Sequence, residues 1–388
     1  MDSPEQPSAK RINAPVTPSP LWRLNDDLLA DIFLRLPTLA DVGRAATACA
    51  SFRRVVADCT FLRRLHSVHP VPLLGLLLFS SVHPAEPPHT SAPYARALRR
   101  AADLSFSFVP CAGRWIPVDA RDGRVLLERE AMGGDFAVCD PVFRRYLFLP
   151  HIPGHPAAQR CGRLEPFLVP ATDEEAETSF RVVCVVERKP GQLVAFVFSS
   201  GTGRWGSLAV DVSVHPSCNF SWSSYAFGSC YWKVTGTNKF LVLDTRSMVF
   251  SSFDIPSGHG QQDSVIVEAA EGRIGMFTLH NSMISAASYL VYAVRVIHEE
   301  GNSLWQLKRR VRLPSRYIFS FADATDKHLL LRGIPWNLHL EPSTHDVDVG
   351  YFSVEFESMQ VEKICGLRNL LYAKQYTGFP PSLCLPRI

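Results

Sequence analysis

The chain has 388 residues, of which 46% are hydrophobic, and its 40 Lys+Arg against 37 Asp+Glu leave a formal net charge of +3. That length accommodates two or three domains around a large core, and the near balance of charge gives no electrostatic case for nucleic acid or an anionic membrane surface as partner. The 10 cysteines are scattered without a C-x-x-C pair or a Cys/His set at zinc spacing, so they are expected as buried thiols in a reducing compartment, with no metal and no cofactor.

Residues 1–20, "MDSPEQPSAKRINAPVTPSP", contain five prolines and no apolar core. They read as a disordered tail and not as a secretory leader, because they bury too little surface to offset chain entropy. A compact helical module is expected over 21–66. Asn25 is a good N-cap, Asp26 and Asp27 put negative charge in the first turn, and Leu28, Leu29, Ile32, Phe33 and Leu36 follow at helical spacing. Pro37 stops this helix, and Thr38 caps a second one with Asp41 in capping-box position and a stripe of Leu39, Val42, Ala45, Ala46 and Cys49. Ser51 can cap a third short helix carrying Phe52, Val55 and Val56. Three short helices make a small core, so such a module either packs on the rest of the chain or completes its burial on a partner.

This stretch resembles an F-box. Leu24, Asp27, Leu28, Leu29, Ile32, Phe33, Leu36 and Pro37 follow the family's first-helix pattern. Asp41, Val42, Ala45, Cys49, Phe52 and Arg53, then Phe61 and Leu62, continue it. Asn25 stands where the family usually has Pro, and Phe52 where Trp is commoner. The resemblance implies docking on a Skp-type adaptor that links the chain to a cullin–RING ubiquitin ligase. The adaptor-binding set it implies is Leu24, Leu28, Ile32, Leu36, Pro37, Leu39, Val42, Cys49 and Phe52. Physically this is burial of aliphatic side chains in a partner's groove, with a few anchors dominating the energy.

From residue 67 to 388 the composition changes to valine, phenylalanine, serine and turn residues. "VPLLGLLLF", Val71 to Phe79, is too short to span a bilayer and reads as a buried strand. One phrase then recurs: an aliphatic strand, a polar residue, a turn, and a bulky residue six positions after the polar one. The pairs are Asp140/Tyr146, Ser199/Trp205, Asp244/Phe250, Glu299/Trp305 and Glu355/Val361, at intervals of 59, 45, 55 and 56 residues. Those intervals suit four-stranded propeller blades. A further strand cue precedes each phrase, with the D-G and E-G pairs of "RDGRVLLE" and "EGRIGMFTL" as hairpin signals. Five units are visible, and Val71–Phe79 is a candidate for one more. "WIPVDARDGRVLLE" with "VCDPVFRRYLFLP", and "PLLGLLLF" just after the helices, resemble the kelch-like associated region of plant F-box proteins. The expected fold class is therefore α+β multidomain: a small three-helix F-box followed by an all-β propeller-like domain.

"SSGTGRWGSLAV", Ser199 to Val210, contains a formal G-x-G-x-x-G in Gly201, Gly203 and Gly206. A dinucleotide loop needs a helix after it, whereas "SLAVDVSV" alternates at period two, so the glycines are expected in a hairpin turn. The pairs His66/His69 and His151/His155 read as incidental, "DEEAE" at 173–177 as a solvated loop, and "LKRRVR" at 307–312 as a strand with a basic outer face. Trp222, Tyr225 and Trp336 are candidate recognition aromatics. The expectation is a non-catalytic, cytosolic or nuclear receptor whose propeller holds a target protein. The alternatives are a propeller enzyme or small-ligand sensor with a merely structural helical front, and a protein that pairs with the adaptor without joining a ligase.

Overall fold

A computed structural model describes residues 24–37, 39–56, 58–68, 72–78, 81–110, 113–130, 134–142, 144–153, 166–170, 179–189, 192–211, 220–255, 262–282, 287–297, 303–336, 349–367 and 373–377. The chain divides into two compact units, Met1–His69 and Pro70–Ile388. Among the described residues no helix is long and apolar enough to cross a membrane.

The first unit holds α1 (Asp26–Leu34), α2 (Leu39–Ala48), α3 (Ala50–Val56) and α4 (Cys59–Val68). Asn25 caps α1 as expected: its backbone is extended and its Oδ1 accepts from the Leu28 N–H at 2.9 Å. Thr38, the expected cap of α2, lies outside the described residues. Ser51 does not cap α3. Only Cys49 separates α2 from α3, so Ser51 falls inside the helix, with its hydroxyl 3.1 Å from Cys49 Sγ. The fourth helix corrects the three-helix expectation. Its start signal is Asp58, whose Oδ1 accepts from the Thr60 and Phe61 N–H groups at 2.9 and 3.1 Å. Phe61 and Leu65, four apart, then face inward.

The core of this unit is Leu29, Phe33, Val42, Val55, Val56, Phe61 and Leu65. Phe33 is its hub, meeting Phe52 edge-on at 5.1 Å and Phe61 at 6.5 Å between ring centroids. Arg54 reaches both Asp26 carboxylate oxygens and Arg64 reaches Asp31. These pairs are exposed and worth roughly 0–1 kcal/mol each. Apolar burial, at roughly 1.5–3 kcal/mol per large side chain, dominates.

The second unit is a six-bladed β-propeller. It opens with β1 (Gly75–Leu78), β2 (Ser81–Pro84) and α5 (Ala92–Ala101). Next come two blades, β3 (Trp115–Arg121), β4 (Arg124–Arg129), β5 (Phe136–Asp140), β6 (Arg145–Phe148) and β7 (Phe167–Pro170), β8 (Phe180–Lys189), β9 (Gln192–Ser199), β10 (Arg204–Asp211). A third blade is β11 (Phe220–Ala226), β12 (Ser229–Val234), β13 (Lys239–Asp244), β14 (Val249–Asp254). Then follow β15 (Ser264–Glu268), β16 (Ile274–Ser282), β17 (Ala287–Ile297), β18 (Ser303–Arg312) and β19 (Tyr317–Ala324), β20 (His328–Pro335), β21 (Val349–Glu355), β22 (Val361–Leu367). The last strand among the described residues is β23 (Lys374–Tyr376). Five sheets are four-stranded antiparallel meanders in chain order. The sixth is β2-β1-β23, so the C-terminal strand closes the ring by pairing Gly75 with Tyr376 and Leu77 with Lys374.

The repeated phrase is the outer hairpin of each four-stranded blade. Cys139 pairs with Tyr146, Phe198 with Trp205, Leu243 with Phe250, Arg295 with Trp305 and Val354 with Val361. Glu299 itself lies outside the described residues. Four residues after the polar position the backbone turns left-handed in each of the other four turns: Arg144, Gly203, Met248 and Met359 have φ of 53°, 67°, 57° and 58°. The polar residue tightens that turn. Asp140 Oδ1 accepts from Val142 N–H, and Asp244 Oδ1 from Arg246 and Ser247 N–H. The inner hairpins turn at Asp122-Gly123, Phe227-Gly228 and Glu271-Gly272, each with both φ positive, the conformation whose twist matches the strands.

Strands buried on both faces knit the ring together. Val182, Cys184 and Val186 of β8 face the blade before, while Val183 and Val185 of the same strand face the blade after. Equivalent apolar layers join every neighbouring pair of sheets, and the last layer brings Leu74 and Leu77 against Val125, Leu127 and Tyr376. This is why the run "LLGLLL" is apolar without alternation. In this unit α5 and β23 were not expected from sequence. Among its described residues, helix α5 fully buries the small side chains Ala92 and Ala95 and half-buries Leu98, and β23 is three residues long, so neither carries a strong periodic signal.

Candidate functional site

Helix α1 is apolar on two sides. Leu29 and Phe33 face the unit's interior, while Leu28 and Ile32, one turn apart, are 51% and 39% exposed. A surface helix of an isolated domain normally turns polar residues outward. Leu24 and Leu36 are half-buried, and Pro37 is exposed beside them. Cys49 is exposed, and its thiol is drawn below the usual range by hydrogen bonds from the Ser51 side chain and the Phe52 backbone. Val42 is 2% exposed, within the unit's own core, and Phe52 is half-buried against Phe33. The Leu39 side chain lies outside the described residues. Of the residues singled out from sequence, Leu28 and Ile32 therefore form an outward aliphatic pair, and Val42 and Phe52 support the module from within.

The glycine phrase resolves as the β9–β10 turn. Ser199 pairs with Arg204, Gly201 and Gly203 sit in the turn, and Gly206 lies within β10 opposite Val197. No helix follows, so the loop offers no helix N-terminus to a phosphate. Residues 307–312 form part of β18, an outer strand with exposed Lys308, Arg309, Arg310 and Arg312. His151 is exposed and pairs with Asp135 at 2.9 Å, whereas His69, His155, the His66 side chain and residues 173–177 lie outside the described set.

A charged group in the propeller escaped the sequence reading. The first strands of the blades and β23 pack against one another at the centre. There the Leu168 N–H donates to Asp119 Oδ2 at 2.7 Å, and Arg121 Nε donates back to the Leu168 carbonyl at 3.1 Å, tying β3 to β7. The Arg121 guanidinium stacks 4.4 Å over the Tyr225 ring of β11. Lys374 of β23 meets Asp323 of β19 at 3.5 Å, and the Gln375 N–H donates to the same carboxylate at 2.8 Å. Burial pushes the Asp119 carboxyl up to about 6, against the pull of Lys374 and Arg121. Burial likewise raises the Tyr225 phenol. Each charge here has a protein partner, so the arrangement stitches inner strands together. These residues stand in short strands with no motif spacing, and only closure of the ring gathers them.

Tyr225 thus belongs to this inner-strand group, Trp336 is half-buried with its backbone N–H donated to the Arg316 carbonyl at 2.8 Å, and the Trp222 side chain lies outside the described residues. Among the described residues no group of three or more His, Cys, Asp or Glu side chains is arranged to hold a metal ion.

The chain matches no family model and no curated protein. Among solved structures it is similar to dihydro-heme d1 dehydrogenase NirN, at 12% identity over 68% of this chain and 59% of that one, with a TM-score of 0.34. It thus spans less than two thirds of that protein. A putative TolB from Agrobacterium tumefaciens is similar at 12% identity over 66% and 86% of the two chains (TM-score 0.37). AofleA from Arthrobotrys oligospora is similar at 10% over 66% and 72% (TM-score 0.39). Likenesses at this level identify neither a family nor an activity.

Proposed function

We propose that this protein is a non-catalytic substrate receptor. Its front helices form an F-box that docks on a Skp-type adaptor, and its propeller holds a target protein for ubiquitination by a cullin–RING ligase. The observation that carries this reading is the outward pair Leu28 and Ile32 on a helix whose adjacent face, Leu29 and Phe33, is already committed to the core. A helix uncovered in this way gains by entering a partner's groove. The rigid propeller supplies the target-binding surface through its connecting loops. Ubiquitin transfer belongs to other subunits, and the receptor acts by raising the local concentration of target lysines. Co-expression with a Skp-type adaptor tests the first half: the two chains are expected to co-elute one to one. Adding cullin to the purified pair then separates a ligase receptor from a protein that stops at the adaptor.

A further inference from the structure

The propeller also carries a cleft that its central stitching does not explain. It has a volume of about 330 Å³ and sits where the segment before α5 meets the β19–β22 blade. Pro72 and Leu73 form an apolar part of its lining, and Tyr94, 43% exposed, adds an aromatic wall. The polar lining is one-sided. Glu355 and Glu362 supply two carboxylates, and no lysine or arginine is among the described lining residues.

The histidines of the cleft do not offset that charge. His89 is buried, and the Ser91 N–H donates to its Nδ1 at 3.1 Å, so its proton resides on Nε2. That nitrogen faces Ser353 Oγ at 3.1 Å and Glu362 Oε2 at 3.7 Å. Burial holds His89 below the usual imidazole range despite Glu362, and it holds His328 down likewise despite Glu355 and Asp326. The same tautomer rules out a hydrolytic reading, since a ring nitrogen that carries a proton cannot accept one from Ser353. Glu362 is oriented by Thr90, whose hydroxyl donates to Oε2 at 3.2 Å, and by Gln360, whose amide donates to Oε1 at 3.0 Å. Glu355 accepts from the Ser358 hydroxyl at 2.6 Å. Two carboxylates are thus held in place in a cleft that has an aromatic wall and no lysine or arginine among its described lining residues, while Glu355 also lines a second cleft with Lys308, Arg309 and Lys327.

We infer that this cleft binds an alkylammonium or guanidinium group, with Glu355 and Glu362 as counter-charges and Tyr94 as the aromatic wall. The chemistry combines carboxylate–cation pairing with a cation on a ring face. It concerns what the propeller binds, whether or not α1 holds an adaptor. On the receptor reading, the group is a lysine or arginine side chain of the target.

The test titrates the intact chain, with its adaptor if that is needed for solubility, by calorimetry. The probes are N-acetyl-lysine methylamide, agmatine, cadaverine and the Nε-acetylated lysine analogue. Saturable binding of the amines is expected, with the acetylated analogue at least about tenfold weaker because it lacks the charge. Glu355→Gln and Glu362→Gln should each weaken the amines about fivefold, and Tyr94→Ala about threefold, at unchanged melting temperature. A lysine analogue that binds at least as tightly as cadaverine marks a protein side chain as the occupant, and the reverse order marks a free polyamine. Equal binding of the acetylated analogue to the wild-type chain, or no saturable binding of any amine, overturns the inference. Since the wild-type comparison needs no variant, a misfolded substitution cannot mask the result, and adaptor binding, measured separately, fails or survives independently.

Discussion

Leu28→Asp separates folding of the helical unit from adaptor binding. Leu28 is the third residue of α1, its N–H donates to the N-cap Asn25, and its side chain is 51% exposed. An acidic side chain in a first helical turn is favoured by the helix dipole, so the folded unit should change by no more than about 0.5 kcal/mol. In a complex the position behaves differently. Complete burial of a leucine is worth roughly 1.5–3 kcal/mol, and about half remains available at Leu28, so losing the contact costs about 1 kcal/mol. Placing an unpaired carboxylate in an apolar groove adds at least ~2 kcal/mol. The sum of about 3 kcal/mol corresponds to roughly a hundredfold loss of affinity. Leu29→Asp is the contrasting variant. Leu29 is 2% exposed, and a carboxylate there should unfold the unit outright. The assay is calorimetric titration with purified Skp-type adaptor, beside circular-dichroism melting of each variant. If Leu28→Asp binds within threefold of the parent, or melts as low as Leu29→Asp, the outward aliphatic pair is not the docking surface.

Three further expectations concern the propeller. In Gly75→Ala, the new methyl group meets the His83 carbonyl oxygen at 2.3 Å, which forces the closing sheet apart. The cost should be about 1–3 kcal/mol, read as a lowered midpoint in urea. In the β9–β10 turn, Gly203→Ala should cost about 1 kcal/mol because φ is +67°, while Gly201→Ala meets nothing nearer than Ser199 Oγ at 3.6 Å and should be nearly silent. Asp119 gives a pH dependence. Its folded value of about 6 lies above the ordinary carboxylate value of 3.8, so the folded state binds its proton more tightly than the unfolded chain does. Its contribution is fully present below pH about 4 and is lost as pH rises through about 6, a change of roughly 3 kcal/mol. Asp119→Asn, which keeps an acceptor for the Leu168 N–H, should flatten urea stability between pH 4 and 7. An unchanged slope would refute the assignment of this pH dependence to Asp119.

Much of the propeller was legible because local chemistry repeats with it. The Asp-Gly and Glu-Gly turns, the polar residue at the end of the third strand and the bulky partner six positions on all recur for reasons internal to one hairpin. The G-x-G-x-x-G phrase was separable from a nucleotide loop on the same ground, since its flanks alternate at period two. Helix α1 was legible through Asn25 and its apolar spacing. Helix α4 was not, because its cap at Asp58 precedes a segment rich in arginine. Helix α5 and β23 left little trace, the first because alanine buries little area, the second because it is short.

The amino-acid order by itself determined the hairpins, their turns, the two-faced apolar strands and the amphipathic start of α1, all of which depend on neighbours within about ten residues. Tertiary structure alone decided that there are six sheets, that Tyr376 closes on Gly75, and which side of α1 is already occupied. It also decided that Asp119 meets the backbone of Leu168 and that His89 meets Ser353, which lies 264 positions away. The physical reason is range. A turn is set by its own φ angles and side-chain caps, whereas a charged cluster exists only after closure of a ring brings strands together that have no local preference for each other.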